Sequence, residues 1–405
     1  MEMSLLYGDI FPHHHLFDCV VASSPGKCAA TRGPLHFFTY RCTTSNQRYL
    51  HVRIALIASP FISVPPIRYG GTELFIAHLA EGLERRGIEA VVYCNGESTV
   101  NAKKRSYYPR AEWPLSTETS GMLKELDHVS WSIEEAAKTC DLIHINSAPA
   151  ITYSRYVSTP FVCTLHHPHE TALTRMYERY PEIHYVAISE HQASVHPTLA
   201  VTTIHHGIDM TKYRLQAKKE DYLCFLGRIA PIKGVHTAID VAKRAGIPLK
   251  IAGEIQPIFR DYFDTMVKPH IDGRFVEYVG EADLEMKNQL LGSSRGLLFP
   301  IQWSEPFGLV MLEAMACGTP VFALSGGSVP EIVRPGISGA ISSSAEGMAD
   351  AVRNTTYRPE VVRGWVEQGF SVDIMVKRYV ALYEGILTNG LDSGTRLDLV
   401  KDVAA

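Results

Sequence analysis

The sequence predicts an α/β protein built from two successive doubly wound parallel-sheet halves, on three observations. Short β-rich apolar runs alternate with amphipathic helical stretches along most of the chain. The alternation restarts after a charged loop region at 204–219, where Lys212, Arg214, Lys218 and Lys219 gather. The length of 405 residues also exceeds what one ordinary core accommodates. Apolar residues make up 46% and charged residues 20%, and no apolar run approaches the roughly 18–20 residues that span a bilayer, so a soluble globular chain is expected. A formal net charge of −4 supplies no chain-wide basic field, which argues against a nucleic-acid partner.

The folded part is expected to begin with the strand "VRIALIAS" (52–59), followed by the Pro- and Gly-rich loop "PFISVPPIRYGG". Thr72 reads as the N-cap of a helix whose Leu74, Phe75, Leu79 and Leu83 recur at helical spacing and whose end is marked by Gly87. "EAVVYC", "LIHIN", "FVCTLHH" and "HYVAIS" continue the strands of this half. In the second half, "DYLCFLGR", "LKIAGE", "FVEYVG", "GLLFP" and "PVFAL" read as strands and "HTAIDVAKRAG" as a helix. Two Rossmann-like domains at 51–208 and 209–371 follow, then a helix at 372–388 and a tail at 389–405. Ligands of such sheets bind beyond the C-terminal strand ends, so two facing sheets predict one deep cleft.

Residues 1–50 stand apart, with a His13-His14-His15 tract, three of the eight cysteines and no clear periodicity, and read as a poorly ordered extension. The opening lacks the basic and apolar regions of a secretory signal, and the cysteines form no C-x-x-C pair. A reduced, cytoplasmic protein is therefore expected.

Three loops of the second half each follow a predicted strand, which places them on one sheet edge. "GRIAPIKG" (227–234) offers Arg228 and Lys233, a guanidinium fork and a mobile ammonium suited to a diphosphate. "SEPFGLVMLEAMACG" (304–318) is expected to turn into a helix near Phe307, Gly308 and Leu309, whose free amides attract phosphate. Side chains on a helix tilt back toward its N-terminus, so Glu313 can reach ligand bound there, with ribose hydroxyls as the target. In "SGGSVPEIV" (325–333), Gly326 and Gly327 permit a tight turn and Glu331 is expected to face the same cleft. In the first half, Gly70 and Gly71 precede a helix N-terminus. "TLHHPHE" presents His166, His167 and His169, of which His166 is the candidate to hydrogen-bond a sugar hydroxyl. No carboxylate there has metal-ligand spacing.

Taken in order, "GGTE", "TLHHP", "HHGID", "LGRIAPIKG", "EPFGLVMLEAMACGTPV" and "GGSVPEIV" resemble the motifs of family 4 of the retaining nucleotide-sugar glycosyltransferases, from about residue 52 to 387. The resemblance implies the GT-B fold, two facing Rossmann-like domains with a deep interdomain cleft. It also implies roles: Arg228 and Lys233 neutralise the leaving diphosphate, Glu313 holds the ribose, and Glu305 with the backbone of Phe307, Gly308 and Leu309 contacts the transferred sugar and diphosphate. His166 orients a donor-sugar hydroxyl, Gly70 and Gly71 complete the cleft, and the helix at 372–388 crosses back onto the first domain. The donor it implies is a UDP- or GDP-linked sugar, with no cofactor and no metal; no Asp-x-Asp motif is present. His206 stands where the family often has Asn.

A dinucleotide oxidoreductase needs G-x-G-x-x-G after the first strand, where "ASPFISVPPIRYGG" stands instead. A glycosidase using Glu305 and Glu313 has no use for a diphosphate grip. A GT-B epimerase or a non-catalytic sugar-nucleotide binder is the closer alternative. Lys103, Lys104, Arg105 and Arg110 beside aromatics in "NAKKRSYYPRAEW" read as a candidate contact with the inner face of an anionic membrane, weighed against an ordinary solvated loop. Acceptor and oligomeric state are not legible.

Overall fold

Runs such as RIALI, FVCTL and LCFL offer β-branched and aromatic side chains to both faces, and only a sheet covered by helices on both sides can bury them. That is how they are used in the computed structural model, which describes residues 52–67, 70–112 and 118–389. The expected extension at 1–50 and all but the first residue of the expected tail lie outside the described residues.

The first sheet contains β1 (Arg53–Ile57), β2 (Glu89–Tyr93), β3 (Lys103–Arg105), β4 (Leu142–Ile145), β5 (Phe161–Leu165), β6 (His184–Ala187) and β7 (Val201–Thr203) in the order 3-2-1-4-5-6-7. The second contains β8 (Leu223–Leu226), β9 (Leu249–Ala252), β10 (Val276–Gly280), β11 (Gly296–Phe299), β12 (Val321–Leu324) and β13 (Gly339–Ser342) in the order 10-9-8-11-12-13. Strand pairing is parallel in both. The strand order reverses between β1 and β4 in one sheet and between β8 and β11 in the other. At such a switch point the connecting helices leave to opposite faces and open a crevice at the strand ends. The loops that carry the candidate residues leave from these strands and their neighbours.

Three strands were not foreseen. β3 is KKR, β7 is VTT and β13 is GAIS, all at sheet edges and without an apolar run. β3 also gives two residues of the basic stretch partners within the fold. Lys103 pairs with Glu89 at 3.2 Å, and the Lys104 ammonium donates to the carbonyls of Gly96 and Ser98 at 2.8 and 2.6 Å. Among the described residues, no helix is long and apolar enough to cross a membrane. Cys94, Cys140, Cys163, Cys224 and Cys317 are free thiols, all buried.

Helix α1 (Gly71–Glu84) follows β1 and buries Phe75, Ile76, Leu79 and Leu83. Its N-cap is Gly70, so Thr72 lies inside the first turn and not at the cap. The chain crosses to the second sheet after β7 and returns beside that crossing: Ile208 N–H donates to Phe370 O and Val372 N–H to Ile208 O, each at 3.0 Å. The returning helix α11 (Val372–Asn389) joins the first-sheet core through Val372, Met375, Val376, Tyr379, Val380 and Tyr383. Its tyrosines also complete a buried polar chain. Tyr383 Oη meets His144 Nδ1 at 2.6 Å, His144 Nε2 meets Thr164 Oγ1 at 2.7 Å, and Thr164 Oγ1 meets Tyr379 Oη at 2.9 Å. Burial holds the His144 imidazole down to about 3, so it is neutral, and its partners satisfy both ring nitrogens inside an otherwise apolar layer.

Candidate active site

The loop after β8 carries Arg228 and, in the short 3₁₀ turn Pro231–Lys233, Lys233. Helix α5 (Val235–Ala245) begins directly after it. The loop after β11 carries Trp303, Glu305 and Phe307 and leads into α7 (Leu309–Ala316); helix α6 (Leu284–Ser293) precedes β11. These two loops are neighbours because β8 and β11 pair, and Gln302 N–H donates to Ile232 O at 2.8 Å to join them. The third loop follows β12 and leads into the short helix α8 (Val329–Ile332). Ser328 ties it to the second, its N–H donating to Glu305 O at 2.9 Å and its hydroxyl to Phe307 O at 2.7 Å. Gly327 makes that contact feasible, since a Cβ there would lie 2.2 Å from Glu305 O.

Within this frame Lys233 and Glu305 hold each other. The ammonium lies 2.6 Å from Glu305 Oε2, the Trp303 indole N–H donates to the same oxygen at 3.0 Å, and the ammonium sits 4.6 Å from the centroid of the Trp303 ring. Arg228 reaches Gln256 Oε1 at 3.5 Å on the β9 side. Gly308 caps α7 in the left-handed region at φ 85°, a conformation that leaves the first amides of the helix without a side-chain cap. Across the cleft, a Cβ on Gly71 would lie 3.7 Å from Leu309 Cδ1. The N-termini of α1 and α7 therefore approach each other, and both present positive dipole ends.

Glu313 is 3% exposed in α7, with both Tyr213 Oη and the Lys287 ammonium donating to its Oε1 at 2.9 Å. The structure thus places Glu313 in a fixed orientation, and neither Tyr213 nor Lys287 was singled out in the sequence.

His166 follows β5. The amide of Asn146, just after β4, donates from Nδ2 to Ile57 O at 3.1 Å, which turns its Oδ1 toward His166 Nε2 at 2.9 Å. Nε2 must then carry the proton and Nδ1 the lone pair. Burial, with the neighbouring imidazoles of His206, His167 and His144, lowers the His166 pKa well below the ordinary imidazole value. The ring is neutral and can accept a hydroxyl proton at Nδ1. His206 stacks on it with ring centroids 5.5 Å apart and planes 16° apart, and also contacts Phe75 at 4.8 Å and Phe307 at 5.1 Å. Asn146 and His206 were missed as site residues. A lone Asn after a strand carries no motif, and His206 registered only as a departure from a pattern.

Two family models match the chain: "Glycosyltransferase Family 4" over residues 69–212 and "Glycosyl transferases group 1" over 210–370. The chain has the GT-B fold, and each of its halves matches a glycosyltransferase model. Among curated proteins it is similar to a glycogen synthase of Mycobacterium tuberculosis, 33% identical over 40% of this chain and 42% of that protein. It is also similar to a D-inositol 3-phosphate glycosyltransferase of Mycolicibacterium smegmatis, 29% identical over 35% of this chain and 36% of that protein. The matched segments thus span about two fifths of these relatives' lengths. Among solved structures, a glycosyltransferase involved in avilamycin A biosynthesis matches at TM-score 0.65 and 26% identity, over 83% of this chain and 98% of that one. HepE of Anabaena, solved with UDP and glucose, matches in fold at TM-score 0.66 and 18% identity, over 83% of this chain and 100% of that one.

The expected cleft carboxylate Glu331 meets groups of the first half. Glu331 accepts from the backbone N–H of Glu190 at 2.8 Å and of His191 at 2.7 Å, and meets His205 Nε2 at 2.8 Å. These amides open the short helix α4 (Glu190–Ser194), which follows β6; α3 (Thr171–Glu178) precedes that strand. Glu331 thus joins the second-sheet loops to first-sheet elements. Burial raises its carboxyl pKa, but the hydrogen bonds from His205 and the two amides outweigh this, leaving it below the usual value. Its contribution to stability is present above the ordinary carboxylate pKa of 4.5 and is lost as pH falls through the lowered value. Glu331→Gln should cost about 1–2 kcal/mol near neutral pH, read from urea midpoints, because one acceptor becomes a donor facing N–H groups. An unchanged midpoint would show that the junction does not depend on this carboxylate.

Proposed function

We propose that the protein is a retaining glycosyltransferase that moves a sugar from a UDP- or GDP-linked donor to a hydroxyl acceptor without a metal ion. The observation that carries this reading is the convergence, at two facing switch points, of the α1 and α7 N-termini with Arg228, Lys233 and Glu305. A diphosphate seated there meets backbone amides, two helix dipoles and two cations. The family resemblance and the HepE structure with UDP and glucose support a nucleotide-sugar donor. No feature of the site favours the epimerase or the silent binder over transfer.

The chemistry asks for little covalent work from the protein. As the bond from the anomeric carbon to the phosphate oxygen breaks, charge builds on the diphosphate, where Lys233, Arg228 and the α7 amides stabilise it. Glu305 shares Lys233 and lies beside the transferred sugar, with Phe307, Gly308 and Leu309 supplying the backbone beside the diphosphate. Glu313, oriented by Tyr213 and Lys287, takes the ribose. His166 accepts a donor-sugar hydroxyl at Nδ1, held by Asn146. The acceptor attacks from the face the diphosphate leaves, and a leaving-phosphate oxygen takes its proton. No protein nucleophile is required, and configuration is retained.

Melting temperatures measured with a panel of nucleoside diphosphates test the donor site. A ligand at 100 times its dissociation constant should stabilise the fold by about 2.7 kcal/mol. Either UDP or GDP should raise the melting point, and Arg228→Ala should diminish the rise. If no nucleoside diphosphate shifts it, the reading fails. The anomeric configuration of the product, read by NMR, tests retention.

A further inference from the structure

Beside Glu305 lies a cavity of about 270 Å³ shared by both halves of the chain. From the second-sheet side it is lined by Trp303, Ser304 and Pro306, and from the first-sheet side by His169, His191 and Val195. Its walls are well held. The α4 backbone at His191 is tied to Glu331 at 2.7 Å. The Gln192 amide, also in the wall, accepts from Ile188 N–H and donates to His167 O, both at 2.8 Å, so it is spent on the scaffold. Trp303 is fixed by Glu305 and Lys233.

We propose that this cavity is the acceptor subsite and that it takes a neutral pyranose ring, not a phosphate-bearing polyol. The inference rests on the transfer reaction proposed above and adds the class of acceptor. Position supports it: Trp303 lines the cavity and also donates to the carboxylate assigned to the transferred sugar, so a ring seated here adjoins the donor-sugar site. Chemistry supports it too. Two imidazoles and a hydroxyl offer donors and acceptors to ring hydroxyls, while the indole and prolines suit the apolar C–H face of a sugar. Among the described residues, no Asp, Glu, Lys or Arg side chain lines the cavity. Of the charged groups near its edge, Lys233 is assigned to the donor diphosphate and is not available to a second phosphate, while Glu305 and Glu331 are carboxylates that would repel one. A phosphate buried here would lack the cationic fork that phosphate recognition uses. The volume falls just below the roughly 300 Å³ at which sites for drug-sized ligands begin, and suits a single ring.

The test is calorimetric titration of the full chain with methyl α-glucoside, methyl α-mannoside and methyl β-galactoside, and with their 6-phosphates, with and without saturating UDP or GDP. At least one neutral glycoside should bind, and its 6-phosphate should bind about tenfold or more weakly. Val195→Trp, which fills the cavity, should abolish glycoside binding while the melting shift with nucleoside diphosphate remains. The proposal is overturned if no neutral glycoside binds, if a 6-phosphate binds as well as its parent, or if Val195→Trp binds glycoside unchanged. The comparison of parent and phosphate uses the unaltered protein, so it stands even if the variant does not fold. Absence of any nucleotide shift overturns the donor reading separately and leaves the glycoside result to decide the cavity.

Discussion

Lys233→Ala should lower the turnover of sugar transfer by about 10²–10³-fold, the usual loss when one preorganised charge-stabilising group is removed from a reacting centre. The ammonium stands on a short 3₁₀ turn between β8 and α5, so its removal leaves the strand and helix cores intact. The melting point should therefore change far less than the rate. The ion pair adds a second, opposite expectation. Lys233 is held by Glu305 at 2.6 Å, and an arriving diphosphate must compete with that carboxylate. Glu305→Gln removes the competitor and one negative charge from the pocket. It should tighten binding of UDP or GDP while still lowering transfer, because the contact with the moving sugar is weakened. Titration of the nucleotide and initial rates of transfer, measured on both variants, separate the two effects. If Glu305→Gln weakens nucleotide binding as much as Lys233→Ala does, the pair does not compete with the diphosphate and the donor pose is wrong.

How far the sequence carried the fold can be judged from particular strands. LIHI, FVCTL and LCFL were recognisable because a parallel strand buried on both faces must be apolar throughout, and that pattern is local. KKR, VTT and GAIS were not, because an edge strand needs only one neighbour and no continuous apolar run. The placement of Arg228, Lys233, Glu305 and the Gly308 turn at neighbouring strand ends was legible because each follows a strand whose end is fixed by the alternation. The partners of Glu331 were not legible for the converse reason. Its partners, His205 and the amides of α4, lie more than a hundred residues away, and nothing local says which surface a carboxylate meets. The role of Asn146 in setting the His166 tautomer depends likewise on a contact between adjacent strand ends.

Glu73 is a case of a charge whose cost appears only in three dimensions, and it leads to the second large expectation. It reads as an ordinary acidic residue in the first turn of α1, where the helix dipole favours a carboxylate. In the fold it is 5% exposed, and its Oε2 shares the space above Gly70 with Pro66 and Ile62. Burial, only partly countered by its own backbone N–H, raises its pKa from 4.5 to about 7. Between those two values the folded chain keeps a proton that the unfolded chain has released, so stability falls as pH rises. The contribution is fully present below pH 4.5 and lost above about 7. At about 1.4 kcal/mol per unit, the span corresponds to about 3 kcal/mol. Glu73→Gln preserves the shape and cannot ionise. Its stability from urea unfolding should match that of the unaltered protein near pH 4 and exceed it by up to about 3 kcal/mol at pH 8. The difference between the two proteins cancels the titration of every other group. Equal pH slopes would show that the Glu73 carboxyl ionises freely in the fold. Since Gly71 faces Leu309 across the cleft, the same proton bears on donor binding. Below pH 7 a diphosphate meets a neutral acid at the α1 terminus, and above it a second anion, so UDP or GDP affinity should decline through pH 7 and Glu73→Gln should flatten that decline.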